Sequence, residues 1–165
     1  MINRLSFSVV LLAILAIGVY LMPDAKANTT TPEAYASQVN GICVSKIRNN
    51  SKLIEQISVP AIRKLAKEGK YGQASQRFFA ASKELNKAIK AIAVVPRPSN
   101  KATQIKQWLT QLKTSQTLLR KTGKALQVRN KYQASKSVVL LARSNSRANG
   151  QAIGLYLDEC RLILV

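Results

Sequence analysis

The chain has 165 residues, 26 of them Lys or Arg against seven Asp or Glu, and its formal excess of +19 suits it to anionic partners rather than to any particular fold. It has no His, both Met residues (Met1 and Met22) fall in the N-terminal segment, and two cysteines cannot complete a tetrahedral zinc site, which argues against zinc, haem and imidazole chemistry. The few carboxylates are too scattered for paired-carboxylate or calcium-loop chemistry, while an apolar content of 47% separates the chain from disordered basic tails.

Residues 1–27 read as a signal peptide. Arg4 supplies a positive start, Leu5 to Met22 is almost wholly apolar, and Pro23 ends the apolar helix. Ala25-Lys26-Ala27 then places small residues at −3 and −1 of a cleavage point before Asn28. The alternative is a membrane anchor formed by an uncleaved N-terminal segment, since about 18 apolar residues reach the lower limit for a bilayer span. The first cysteine, Cys43, lies too far on to carry a lipid at the cleavage point. Cleavage leaves 28–165 as a single domain, secreted or held in the periplasm or cell envelope. In that oxidising setting Cys43 and Cys160, one near each end of the domain, are expected to form one disulfide; the alternative is two buried thiols in a reducing compartment.

Along the mature segment the pattern is helical. Thr31-Pro32-Glu33 starts a helix with a hydroxyl cap, a first-turn proline and a carboxylate at the positive helix end. Tyr35, Val39, Ile42, Cys43, Ile47, Ile54 and Ile57 keep helical spacing from there. Ser58-Val59-Pro60 interrupts, a short basic helix follows from about Ala61 to Glu68, and Gly69 and Gly72 frame a turn. Tyr71, Ala74, Phe78, Ala81, Leu85, Ala88 and Ile92 form a heptad seam on the next helix. Val95-Pro96-Arg97-Pro98 is a stiff connector, because proline lacks an N–H and disfavours helix in its predecessor. Ser99 or Asn100 is then placed to cap a helix whose inner face is Ile105, Leu109, Leu112, Leu119 and Leu126. Trp108 stands alongside as an edge-of-core anchor, and Gly123 offers a close approach or a bend. Asn130 marks the break before a last helix carrying Ala134, Val138, Leu141, Ala148, Ala152 and Leu155, with Asn145 on its apolar stripe as a core amide.

Four main helices of about 20 to 25 residues joined by short turns predict an all-α fold: an antiparallel four-helix bundle, with one extra short helix, closed by a single disulfide. Ile42-Cys43, Pro96-Arg97-Pro98, Trp108-Leu109 and the stretch Leu155-Tyr156-Leu157-Asp158-Glu159-Cys160 resemble a loose group of uncharacterised bacterial exported helical proteins. That group carries an early Ile-Cys, a mid-chain Pro-x-Pro and a C-terminal Leu-Gly-Leu-x-x-Cys; Tyr156 stands here where the group has glycine. The resemblance implies a disulfide-closed helical bundle and carries no catalytic residues with it.

Function is expected to lie in charge. From Leu85 to Leu157 there is no Asp or Glu, while Lys and Arg occur fourteen times, so these helices forgo i,i+4 ion pairs and accept like-charge repulsion at Arg120/Lys124 and Arg143/Arg147. Lys106, Lys113 and Arg120 recur every seven residues beside the buried seam, with Lys124 adjoining, and Lys136, Arg143 and Arg147 form a second stripe on the last helix. If the two helices are neighbours, these seven residues line a cationic groove or face. A solvated lysine face covering the seam with its methylene stems is the simpler reading. The other is a surface for an anionic envelope polymer or lipid headgroups; nucleic acid fits less well, because aromatics are few and mostly on inner faces. A small-molecule or lipid carrier with a cavity near Trp108, Phe78 and Phe79, and a structural partner-binding module, are the alternatives. No spacing selects a nucleophile and base, so the expected protein is non-enzymatic, without cofactor or metal. Asn28-Thr29-Thr30 and Asn49-Asn50-Ser51 match glycosylation sequons and matter only in a glycosylating pathway.

Overall fold

The computed structural model describes residues 30–50 and 55–162. The expected signal peptide, with Pro23 and Ala25-Lys26-Ala27, lies outside the described residues, as do Ile54 and parts of both sequons. Among the described residues there are five α-helices and no strand.

Helix α1 (Pro32–Lys46) starts where Thr31 adopts an extended conformation and its Oγ1 accepts a hydrogen bond from the Ala34 N–H at 3.2 Å. Tyr35, Ala36, Val39 and Cys43 are its buried residues. It is 15 residues long, shorter than expected, and does not run on towards Ile57: Ile47 closes it and Arg48–Asn50 tighten into a 3-10 turn. Asn49 stands at this break, and asparagine side chains favour local backbone partners over helical ones.

Helix α2 (Val59–Lys67) buries Leu65, half-buries Ala61, Ile62 and Ala66, and turns Arg63, Lys64 and Lys67 outward. Gly69 ends it at φ 71°, and the Lys70 N–H reaches back to the Leu65 carbonyl at 2.8 Å. Gly72 belongs to the first turn of the next helix rather than to this turn.

Helix α3 (Tyr71–Ala93) buries Ala74, Phe78, Ala81, Leu85, Ala88 and Ile92, the expected seam; Tyr71 is half-buried. Neither Ser99 nor Asn100 caps the helix after the proline connector. Ser99–Lys101 form a 3-10 turn, and α4 (Ala102–Gln127) begins behind Lys101 without a side-chain cap. Helix α4 is continuous through Gly123. Helix α5 (Lys131–Ile153) is capped by Asn130, whose Oδ1 accepts from the Gln133 N–H at 3.0 Å. The chain turns out of α4 and α5 in the same way as out of α2, with a left-handed residue after the helix and a hydrogen bond five residues back. Here Arg129 (φ 55°) and Tyr156 (φ 58°) occupy the position that glycine enters without strain.

The three long helices pack in sequence, α4 between α3 and α5, while α1 lies against α3 and against the C-terminal 3-10 turn Asp158–Cys160. Buried serines set the register. Ser75 Oγ donates to the Gly123 carbonyl (2.8 Å) and Ser82 Oγ to the Gln116 carbonyl (3.1 Å), so seven residues forward on α3 match seven residues back on α4. Across the other seam Ser115 Oγ donates to Ser144 Oγ (3.0 Å), which donates to the Gln111 carbonyl (3.2 Å).

Gly123 permits the α3–α4 approach: a Cβ there would sit 2.8 Å from the Phe79 ring. Gly123→Ala is therefore expected to lower stability by about 1–2 kcal/mol through overpacking. In a Phe79→Ala background the same change should become stabilising by up to about 1 kcal/mol, because alanine is the better helix former. A double-mutant cycle by urea denaturation measures both signs.

Cys43 and Cys160 are bonded, their Cα atoms 5.0 Å apart and 117 residues distant in sequence. The chain around Cys160 is held besides by two asparagines and an ion pair. Asn40 donates to the Tyr156 carbonyl (2.9 Å) and accepts from the Glu159 N–H (3.2 Å). Asn149 donates to the Leu162 carbonyl (2.9 Å) and accepts from its N–H (2.7 Å). Arg48 pairs with Glu159 at 2.7 Å.

Trp108 is fully buried, at the centre of the core and not at its edge, and Asn145 is buried on α5 as a core amide. The Trp108 Nε1–H and the Tyr35 hydroxyl have no hydrogen-bond partner among the described residues. Burial pushes the Tyr35 phenol up from 10.0 to about 12, and the positive charge of Arg97 pulls it back only in part. As pH rises through this window the unfolded chain loses the phenol proton before the folded chain does. Stability should therefore fall between about pH 10 and pH 12, by roughly 2–3 kcal/mol in all. Tyr35→Phe should abolish that decline and be neutral or slightly stabilising at pH 7, since it removes an unpaired hydroxyl. The difference between wild type and variant in urea unfolding across this range isolates the phenol from the titrating lysines.

Candidate anion-binding face

Lys106, Lys113, Arg120, Lys124, Lys136, Arg143 and Arg147 are all exposed, yet they do not line one groove. Gln116 and Gly123 mark the side of α4 that meets α3, and Gln111 and Ser115 the side that meets α5. At 100° per residue, Lys113 lies about 60° from Gln116 and about 160° from Gln111. Lys106 and Arg120 share its row, so this stripe belongs to the α3 flank. On α5, Lys136, Arg143 and Arg147 lie about 60–100° from Ser144, on the solvent flank beside α4. The outer ridge of α4, carrying Thr110, Thr114, Thr117 and Lys121, separates the two stripes. The reason is a difference in offset. Lys106, Lys113 and Arg120 follow seam residues Ile105, Leu112 and Leu119 by one, whereas Lys136 and Arg143 follow Ala134 and Leu141 by two, about 100° further round.

What faces the first stripe is α3. Ser75 and Ser82 face α4, and Lys83 and Lys90, both exposed, stand on the outer flank of that contact. In the register set by the serines, Lys83 is level with Lys113 and Lys90 with Lys106, each to within about 3 Å along the axis. The half-buried Phe79, over Gly123, forms part of the floor between the rows. Lys83, Lys90, Lys106, Lys113, Arg120 and Lys124 thus border one seam, and none has an ion-pair partner among the described residues. Glu84, the nearest acid in sequence, turns away and pairs with Lys87 at 2.8 Å.

Lys83 precedes the acid-free stretch and Lys90 is counted within it, but neither was assigned to a stripe. Their seven-residue spacing directly after Ser82 and Ile89 is the signal that identifies them. The threonines of the α4 ridge are less available than they look in sequence: Thr110 and Thr114 spend their hydroxyls on the Lys106 and Thr110 carbonyls.

Around Trp108, Phe78 and Phe79, where a carrier cavity is expected, the side chains are packed among the described residues: Trp108 and Phe78 are fully buried and Phe79 sits over Gly123. A cleft of about 560 Å³ lies instead between α2, the start of α3 and the α4–α5 turn, lined by Arg63, Ala66, Lys67, Tyr71, Leu126, Lys131 and Ala134. At the end of α2, Glu68 pairs with Lys70 at 2.9 Å, and that hydrogen bond holds its carboxyl below the usual range.

Among the described residues no three His, Cys, Asp or Glu side chains gather into a group that could hold a metal ion, and no helix is long and apolar enough to cross a membrane. Comparison of the chain with protein-family models, curated proteins and solved structures gave no match. The disulfide is the chemistry of an oxidising, extracytoplasmic environment.

Proposed function

We propose that this is an exported, non-enzymatic helical protein that associates with anionic cell-envelope material, polymer or lipid headgroup, through the α3–α4 face. The observation that carries this reading is the pairing of two heptad rows of cations across one seam with no acid between them. Such rows repel each other in the free protein, and an anion laid along the seam removes that repulsion. Cleavage after Ala27 would free the domain into the compartment where Cys43 and Cys160 oxidise. The likeness to exported helical proteins, and an antiparallel four-helix arrangement with α1 as the fourth member, belong to the same proposal. Nucleic acid suits the face less well: the exposed aromatics, Tyr132 and Tyr156, lie on α5 and just beyond it, away from the cation rows.

The test is retention on anionic vesicles and on a soluble polyanion across a salt series. Binding should be strong at low ionic strength and lost as the Debye length shrinks; retention that is indifferent to salt overturns the reading. One observation favours a second role as a partner-binding module. Tyr132, Val139 and Ile153 are exposed at seven- and fourteen-residue steps on the outer face of α5, and a protein docked there would hold through salt.

A further inference from the structure

The cleft beneath α2 combines an apolar interior with a cationic rim. Its interior is apolar: Leu126 and Ala134 are buried, and Ala66 and Tyr71 are half-buried. Its rim is cationic: Arg63 and Lys67 are one turn apart on the same side of α2, and Lys131 enters from α5, its Nζ 5.9 Å from the centre of the Tyr71 ring. No acid is among the lining residues. The volume, about 560 Å³, falls in the range that holds small ligands. The two alanines keep the interior open where larger side chains would fill it.

We propose that this cleft binds a single-chain amphiphile with a phosphate head, the alkyl or acyl chain lying against Ala66, Leu126, Ala134 and the Tyr71 ring, and the phosphate held by Arg63, Lys67 and Lys131. Two features select this class. A bare anion would gain nothing from the apolar interior, and a neutral amphiphile would leave three converging cations uncompensated. The site is separate from the α3–α4 face and does not depend on its role.

The probe is dodecyl phosphate, titrated calorimetrically into the full-length protein below its micellar concentration. Inorganic phosphate serves as the head alone and dodecyl maltoside as a chain with an uncharged head. Dodecyl phosphate should bind at least about tenfold tighter than either. Arg63→Gln/Lys67→Gln, which changes only exposed positions, should weaken it about tenfold or more. Ala66→Trp, which fills the cleft, should abolish it with the helical circular-dichroism spectrum retained. Lys106→Gln/Lys113→Gln/Arg120→Gln should leave it unchanged, so that failure here is distinguishable from failure of the α3–α4 reading. Equal affinity for inorganic phosphate, equal affinity for dodecyl maltoside, or indifference to the Arg63/Lys67 change overturns the proposal.

Discussion

Replacing Cys43 and Cys160 together by alanine is expected to lower the unfolding free energy by roughly 3–5 kcal/mol. The bond closes a chain segment of 117 residues, and most of its effect comes from denying the unfolded chain the freedom to separate its ends. The folded state changes less. Asn40, Asn149 and the Arg48–Glu159 pair still hold the segment from Tyr156 to Leu162, so the helical spectrum should survive the substitution. Urea midpoints of the oxidised protein and the double variant measure the loss. The dependence on urea should also steepen, because an uncrosslinked unfolded chain exposes more surface. A loss below about 1 kcal/mol would mean that the asparagine clamp alone pins the terminus.

Neutralising Lys83, Lys90, Lys106, Lys113 and Arg120 to glutamine is expected to have the largest effect on association. Each cation near an anionic lipid surface contributes about 1 kcal/mol, so the five together are worth about 5 kcal/mol, or three to four orders of magnitude in partitioning at low salt. Fold stability should rise slightly in the same variant, because like charges facing across the α3–α4 seam are removed. The control is Lys136→Gln/Arg143→Gln/Arg147→Gln, which leaves that seam intact. If both sets weaken vesicle binding by the same amount per charge, the overall excess of positive charge governs association and the face does not. If the first set acts several-fold more strongly per charge, the paired rows are the contact.

Properties local to one helix were legible in sequence. The seam on α3 and the inner face of α4 are buried as the heptad spacing requires, because a periodic apolar stripe on a regular helix has only one side to hide. Thr31 and Asn130 cap as their chemistry dictates, and the proline connector breaks the helix where proline must. The length of α1 was less legible, since apolar spacing continues past Ile47 while the helix ends at Lys46 and the chain tightens into a 3-10 turn. Ser75, Ser82, Ser115 and Ser144 have no part in the apolar spacing, yet they are buried at the helix contacts, where a small side chain that hydrogen-bonds across the contact lets two backbones approach.

The sequence by itself determined a basic helical domain, the angular position of every cation on its own helix, and which two cysteines were available to join. Only the tertiary structure decided which flanks face one another. It set the Lys106 row against Lys83 and Lys90 rather than against α5, brought Asn40 and Asn149 to the C-terminal segment, and opened the cleft beneath α2. The division has a physical cause: helical periodicity follows from backbone geometry alone, whereas the rotation and register of one helix against another follow from interlocking side chains far apart in the chain.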